Sequence, residues 1–186
     1  MGYKYEIYTD GSCKKNGAKD AVGGWAFIIR LYDSNGEYIR EWIKSDWESN
    51  TTNNRMELTA ILRALAWCED IRNFYRCEDD SIYVYSDSAY IINCYTQGWY
   101  RKWEKNGWIN SKKKPVENRD LWEDLIPWFK LKNYHFKKVK GHAGEELNEL
   151  VDSMAQSAAA ANMTQSAVAN MTRSIGRTEE EEISWS

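Results

Sequence analysis

Four acidic residues stand where predicted secondary-structure elements begin or end: Asp10, Glu57, Asp87 and Asp152. Asp10 follows the first predicted strand, Glu57 opens the first helix, Asp87 follows a later buried strand, and Asp152 lies on the last helix. Carboxylates that share a pocket raise one another's pKa, and divalent cations relieve that repulsion. Such a set would suit metal-dependent chemistry.

Each acid taken alone also has a structural explanation. Asp10 precedes a glycine, and Asp-Gly is a strong turn signal, although the next apolar run begins too late for a two-residue hairpin. Glu57 fits a capping box with Asn54 as the N-cap, and Asp87 could cap the helix that follows it. Asp152 alone would be an exposed helical acid. It is the order of the four acids along the chain that favours a common site.

The elements that must position these acids follow from hydrophobic spacing. Strands are predicted at residues 3–9, 23–32, 37–47, 82–86 and 134–139. Helices are predicted at residues 53–70, 88–95, 99–106 and 118–130, with a closing helix after Gly144 whose inner face carries Leu147, Leu150, Met154 and Ala158. This order predicts an α/β fold with a mixed sheet whose first three strands are antiparallel.

Charge is distributed unevenly along the 186 residues, whose net charge is −3. Residues 177–186 contain one Arg and four Glu, which leaves 24 basic and 24 acidic residues in positions 1–176. Within that neutral part, residues 101–114 hold six basic side chains against one acid, interleaved with Trp103 and Trp108. Charge runs of this kind are usually solvated faces, but they can also contact phosphate.

Composition limits the other possibilities. The chain fits one domain, and no secretion signal or apolar run of membrane-spanning length is present, so we expect a cytoplasmic or similar compartment and no membrane partner. The four cysteines form no C-x-x-C pair and only two histidines occur, which argues against structural zinc. We expect a catalytic domain at residues 1–160 and a low-complexity acidic tail at 161–186, where ANMT occurs twice.

Several segments together resemble the type 1 ribonuclease H family, in the family's order, over about residues 3–158: YTDGS, TTNNRMEL, YSDSAY, KGHAG and NELVD. The stretches TDGSCKKNG, GWYRKWEKNGW and KKPVENRDLW are similar as well. The resemblance implies a five-stranded mixed sheet flanked by helices. It also implies hydrolysis of the RNA strand of RNA/DNA hybrids with two Mg²⁺ ions, leaving 5′-phosphate and 3′-hydroxyl ends.

The same resemblance implies roles for individual residues. Asp10 would bridge both ions, Glu57 and Asp87 would hold the leaving-group side, and Asp152 the nucleophile side. His142, which alone would read as a surface residue between two glycines, would assist proton transfer or product release. Mn²⁺ is a possible substitute for Mg²⁺.

Substrate contacts are implied in the same way. The RNA 2′-hydroxyl would be read by Glu57 and the backbone of Gly11, Ser12 and Cys13. The DNA strand would contact Asn16, Thr52, Asn53, Asn54 and Trp99, and a basic handle would present Lys112, Lys113 and Lys114. The polar members of this set could equally be turn and capping residues. Ala89 departs from the family, whose members often have Gln there, and this puts one minor-groove contact in doubt.

Two other readings are compatible with parts of this pattern. The chain could be the hybrid-cutting domain of a reverse transcriptase or an integrase-like nuclease, although no polymerase accompanies it. It could also be a non-catalytic nucleic-acid-binding module on the same fold, but such modules normally lack a carboxylate and all four are present. We therefore expect a free-standing, monomeric enzyme.

Overall fold

A five-stranded mixed sheet forms the centre of the structure, a computed structural model that describes residues 2–75, 79–140 and 146–161. The strands are β1 (Lys4–Lys14), β2 (Val22–Tyr32), β3 (Tyr38–Ser49), β4 (Ser81–Ser86) and β5 (Tyr134–Lys138), in the order β3-β2-β1-β4-β5. β1 pairs antiparallel with β2, and β2 with β3, whereas β1, β4 and β5 are mutually parallel. The predicted α/β fold is confirmed.

Helices cover both faces of this sheet. They are α1 (Asn53–Tyr75), α2 (Ala89–Gln97), α3 (Trp99–Lys105), α4 (Arg119–Phe129) and α5 (residues 146–161). The main core lies between the sheet and α1 to α4, and a smaller one joins α5 to Ala26 and Ile28 of β2. No helix in the described part of the chain is both long and apolar enough to cross a membrane.

The first strand is longer than its apolar pattern predicted. β1 continues through Asp10 to Lys14, because its pairing with β2 extends as far as Lys14 opposite Val22. The prediction that Asp10 ends the strand is therefore wrong, and so is the turn interpretation of Asp-Gly. Only the pairing of β1 with β4 ends earlier, at Tyr8, which lies opposite Tyr85.

The inner face of the closing helix is only partly the one predicted: Leu147 and Met154 pack against the smaller core as expected, but the face is centred on other residues. Its buried residues are Asn148, Val151, Ala155 and Ala159, while Leu150 is 42% exposed. The reason lies in Gly24 of β2, where an added Cβ would stand 2.0 Å from the carbonyl oxygen of Ala155. Because α5 approaches the strand this closely, small side chains occupy the contact and the larger leucine points outward.

Two predicted features lie outside the described residues: His142 and, from residue 162 onward, the acidic tail. Among the cysteines that are described, Cys13, Cys68 and Cys94 are free thiols.

Candidate active site

Asp10 occupies the point where β1 leaves its parallel neighbour. The side chain is only 7% exposed, and its Oδ1 accepts a hydrogen bond of 2.7 Å from the backbone N–H of Gly11. Its partner across β2 is Ala26, which packs against α5. The carboxylate thus lies on the α5 side of the sheet, next to the helix that carries Asp152.

Glu57 is the fifth residue of α1, and its carboxylate is held from two sides. Its Oε1 accepts a hydrogen bond of 2.8 Å from Nδ2 of Asn53, and its Oε2 accepts one from the hydroxyl of Ser88. The capping-box interpretation with Asn54 as N-cap is wrong, because Thr52 fulfils that role: its Oγ1 accepts from the N–H of Arg55 at 3.3 Å. Glu57 therefore does not act as a cap of α1.

Asp87 directly follows β4, level with Asp10 in the continuation of the β1/β4 register. Ser88, rather than Asp87, is the N-cap of α2, since its Oγ accepts from the N–H of Ile91. The alternative that Asp87 caps this helix is thereby removed. Asp87 instead stands half-buried at the carboxyl end of a central parallel strand, the usual location of sites in α/β sheets.

Asp152 projects from α5 one residue after Val151, which is buried against β2. Its Oδ1 accepts a hydrogen bond of 2.6 Å from Nε2 of Gln156, one helical turn later. Asn148, one turn earlier, is 1% exposed, and its Oδ1 has no hydrogen-bond partner among the residues that the structure describes. The helix therefore carries a carboxylate and a buried amide oxygen one turn apart.

The electrostatics of Asp10 show that these carboxylates share one environment. Burial raises its pKa to about 8, and the charges of Asp87, Asp152 and Glu57 act in the same direction against the hydrogen bond from Gly11. Burial also raises the pKa of Glu57, and the charge of Asp87 raises it further. The hydrogen bonds from Ser88 and Asn53 act in the opposite direction and lower it. A site that makes ionisation this costly favours neutralisation by cations.

The four carboxylates do not form a complete metal-binding site in this arrangement. Within the described residues, no three His, Cys, Asp or Glu side chains are positioned together to hold an ion. Glu57 and Asp152 are instead turned to the amide and hydroxyl donors named above. The donor set nevertheless fits Mg²⁺, because it consists of hard carboxylate oxygens around a buried acid whose charge is otherwise unbalanced.

The residues predicted to read the substrate backbone hold the start of α1 in place. Asn53 Oδ1 accepts from the N–H of Cys13 at 3.1 Å, and Asn16 Oδ1 accepts from the N–H of Asn53 at 3.1 Å. Gly11 packs so tightly on α1 that an added Cβ would stand 2.2 Å from the backbone nitrogen of Glu57. The half-buried Ser12 lies between these contacts on β1.

A groove of about 650 Å³ runs beside this site, along α3 and the following loop. Its lining includes Asn54 and Trp99 together with Lys102, Lys112 and Lys114. The lysine loop is shaped by one side chain, since Asn110 Oδ1 accepts from the backbone N–H groups of Lys112 and Lys114 at 2.9 and 3.1 Å. Lys113 adopts a left-handed conformation between them, and all three lysines are exposed.

Aromatic packing anchors this loop to the core. Trp103 of α3 is 6% exposed and meets Trp122 edge to face with ring centroids 5.4 Å apart. Trp108 lies 6.2 Å from Trp103, centroid to centroid. The basic segment is thus packed on the core through its tryptophans, while Lys112, Lys113 and Lys114 are exposed.

Sequence reasoning missed Ser88 and Gln156 as partners of the site acids. Gln156 could have been found from its spacing of four residues from Asp152, which places both on one helical face. Ser88 had a weaker signal, a serine before a helix, and that signal predicts a cap without predicting the second bond to Glu57.

Comparison with known proteins places this architecture among characterised families. The family model described as RNase H matches residues 3–160. A ribonuclease H of Caldicellulosiruptor saccharolyticus is 43% identical over 151 residues, which are 81% of this chain and 92% of that protein.

Solved structures are similar as well. LC9-RNase H1, a type 1 RNase H with the type 2 active-site motif, superposes with a TM-score of 0.66 at 26% identity, over 87% of this chain and 74% of that one. LC11-RNase H1, in complex with an RNA/DNA hybrid, gives 0.54 at 26% identity, over 83% of this chain and 98% of that one.

Proposed function

The chain belongs to the ribonuclease H family, and from that premise we propose that it is a metal-dependent endonuclease that hydrolyses the RNA strand of RNA/DNA hybrids. The observation that carries this proposal is the shared environment of Asp10, Glu57, Asp87 and Asp152, in which three acids add to the raised pKa of the fourth. Acids with strongly shifted pKa values cluster at functional sites.

The four carboxylates are the proposed ligands of two Mg²⁺ ions. Bound there, the ions would neutralise the acids and supply charge stabilisation for an in-line displacement at phosphorus. Asp10 would contact both ions, Glu57 and Asp87 the one on the leaving-group side, and Asp152 the one on the nucleophile side. We expect Mn²⁺ to substitute, and we expect products with 5′-phosphate and 3′-hydroxyl ends.

The protein's own contribution is to hold these acids before the metal arrives. Asn53 and Ser88 fix the two oxygens of Glu57, and Gln156 fixes one oxygen of Asp152. Such partners orient the acids and are expected to shape the affinity for the ions. His142 is proposed to ease proton transfer or product release, which would modulate the rate without being indispensable.

Substrate binding is assigned to two surfaces. The backbone of Gly11, Ser12 and Cys13 adjoins Glu57, where a 2′-hydroxyl would distinguish RNA from DNA. The groove with Asn54, Trp99 and the lysine loop would follow the phosphates of the DNA strand, since lysines provide charge and the indole provides a flat surface for a sugar. We expect this chemistry to take place in the cytoplasm.

The test is cleavage of an end-labelled RNA/DNA hybrid with Mg²⁺, using duplex DNA and duplex RNA as controls. We expect cleavage of the RNA strand of the hybrid alone, and phosphatase sensitivity of the new 5′ ends. Asp10→Asn should bind the hybrid but leave it uncut. Tight hybrid binding by the wild type without any cleavage would instead identify a non-catalytic binding module.

A further inference from the structure

The groove beside the candidate site, called the lysine groove below, has an excess of positive charge. Among the described residues that line it, Lys102, Lys112 and Lys114 are basic and Glu117 is acidic. Two clefts between β3 and α1 differ from it, because each is lined by equal numbers of acidic and basic side chains. Of these three clefts, the lysine groove is therefore the one suited to a negatively charged segment.

The lysine groove also has an apolar wall. Trp103 and Val116 are buried in it, while Trp99 and Ile109 are half-buried and keep part of their apolar surface open to a ligand. Binding sites commonly combine an apolar lining with a few polar groups that set the orientation of the ligand. A segment that carries apolar side chains next to its negative charges would fit this groove better than one that carries charge alone.

One segment of the same chain has both properties. Glu179 to Glu182 form an uninterrupted acidic run, and Ile183 and Trp185 follow it directly. The net charge of −3 belongs entirely to residues 177–186, because residues 1–176 hold equal numbers of basic and acidic residues. Blocks of like charge frequently act as interaction segments. Residues 179–185, called the acidic segment below, therefore match the groove in charge and in apolar character.

The charge density of the acidic run is similar to that of a nucleic-acid strand. An extended chain advances about 3.3 Å per residue, so consecutive glutamates would carry one negative charge per ~3.3 Å. One strand of B-DNA carries one phosphate per ~3.4 Å of helix axis. Lysines that can bind successive phosphates can therefore bind these carboxylates as well.

The connection to α5 is long enough for this contact. Residues 162–178 join Ala161 to the acidic segment, and fully extended they would span about 55–60 Å. A compact domain of about 160 residues has a radius of gyration of about 15 Å, and hence a diameter of about 40 Å. The acidic segment can therefore reach the groove of its own chain.

We propose that the acidic segment binds in the lysine groove of its own chain and competes there with the DNA strand of a hybrid. Its carboxylates pair with the lysines, and Ile183 and Trp185 contact the apolar wall beside Trp99. This autoinhibition rests on the proposed function, because it requires that the same lysines bind the phosphates of the hybrid. The four carboxylates of the candidate site take no part in it, so it raises KM without changing kcat.

Tethering makes even a weak contact effective. A tethered segment has an effective concentration of about 1 mM, so a contact with a Kd of about 0.2 mM would raise KM about sixfold. Ion pairs between exposed groups weaken as salt screens them. The increase in KM is therefore largest at low ionic strength.

The kinetic experiment compares the full chain with a full-length variant in which Glu179 to Glu182 are all replaced by Gln. We expect KM for the hybrid to fall about sixfold at low ionic strength, with kcat unchanged and with a difference that shrinks as salt is added. The inhibition constant of duplex DNA should fall by the same factor, because the acidic segment competes equally with every ligand of the groove.

A matched control removes four other exposed acids, none of which lines the groove: Glu37→Gln, Asp46→Asn, Asp70→Asn and Asp124→Asn. It changes the net charge by the same amount and should lower KM much less. A control that lowers KM as far as the quadruple Gln variant would overturn the proposal, since the net charge would then be responsible.

The lysines of the groove provide a second comparison. In a variant that already has Gln in place of Lys112, Lys113 and Lys114, neutralising Glu179 to Glu182 should no longer lower KM, because interacting groups are not additive. A fall in KM as large as in the wild-type background would show that the acidic segment acts elsewhere, and would overturn the proposal.

Chemical crosslinking locates the contact without relying on activity. A carbodiimide joins carboxylates to amines that are in direct contact, so treatment of the full chain and peptide mapping of the monomer should link Glu179 to Glu182 with the lysines at 102 and 112–114. Links mainly to Lys44, which lines a cleft between β3 and α1, would overturn the proposal. So would links spread evenly over the exposed lysines.

The autoinhibition and the proposed function can fail separately. Cleavage of the hybrid with an unchanged KM in the quadruple Gln variant would overturn the autoinhibition and leave the proposed function intact. Links between the acidic segment and the groove in a protein that cuts no hybrid would support the contact and remove the proposed function.

Discussion

Asn53 donates a hydrogen bond of 2.8 Å from Nδ2 to Oε1 of Glu57, while its own Oδ1 accepts from the backbone N–H of Cys13 at 3.1 Å. One amide therefore ties the extension of β1 to a carboxylate of the candidate site. In the structure this amide positions Glu57, and the contact with the DNA strand that the family resemblance implies stays a prediction.

Asn53→Ala should therefore weaken metal binding more than hybrid binding. Loss of a partner that orients a metal ligand typically costs about 10- to 100-fold in metal affinity or activity. We expect the Mg²⁺ concentration for half-maximal cleavage to rise about tenfold, with a smaller change in KM for the hybrid. Asn54→Ala, which alters the groove, should show the reverse, and an unchanged Mg²⁺ dependence in Asn53→Ala would exclude the positioning role.

Gly11 should not tolerate even one methyl group. An added Cβ would stand 2.2 Å from the backbone nitrogen of Glu57 and 2.3 Å from the carbonyl carbon of Met56, and neither atom can rotate away. Overpacking costs about 1–3 kcal/mol or more. Gly11→Ala should therefore lower Tm by several degrees and displace Glu57, with loss of cleavage, while Ser12→Ala should do neither. A melting temperature equal to that of the wild type would show that α1 can shift without cost.

The sequence predicted the element order because strands and long helices have strong periodicity. It misplaced Asp10 because the pattern of β1 loses its alternation at TDGS, where pairing with β2 alone continues the strand. It identified the inner face of α5 only in part, because the close approach at Gly24 favours alanines at the centre of the contact and leaves Leu150 exposed.

Only part of the candidate site could be predicted from the sequence. The four acids could be named from order and resemblance, but their partners could not. Ser88 donates a hydrogen bond to Glu57, which is 31 positions away in the chain, and no local sequence pattern predicts a contact between residues so far apart.

The raised pKa of Asp10 predicts how the metal-free protein responds to pH. An unfolded Asp has a pKa of about 3.9, whereas burial and neighbouring acids raise that of folded Asp10 to about 8. Between these values the folded state binds the extra proton, so stability falls as pH rises through this window. The amide of Asp10→Asn does not ionise, so this variant should not lose stability in the same way as the pH rises.

The difference in Tm between Asp10→Asn and the wild type, measured in chelator, should therefore grow from pH 5 to pH 8 and level off above about pH 8. Saturating Mg²⁺ should reduce the difference, because the ions stabilise the ionised wild-type site. A Tm difference independent of pH in chelator would contradict the raised pKa.

The lysine loop provides the last prediction. Asn110 holds the backbone of Lys112 and Lys114 beside a groove that Lys102 and Trp99 also line, and Glu117 is the one acid among the described residues that line it. Phosphates would relieve the repulsion between the lysines, and each neutralised phosphate contributes about −0.7 to −0.9 to the slope of log affinity against log salt. Replacing Lys112, Lys113 and Lys114 by Gln should raise KM, leave kcat at saturating hybrid nearly unchanged, and flatten the salt slope by about 1 to 3. The control replaces Lys130, Lys132 and Lys137, which removes the same charge away from the groove and should alter the slope less. If both triple variants change binding equally, net charge rather than the loop attracts the hybrid.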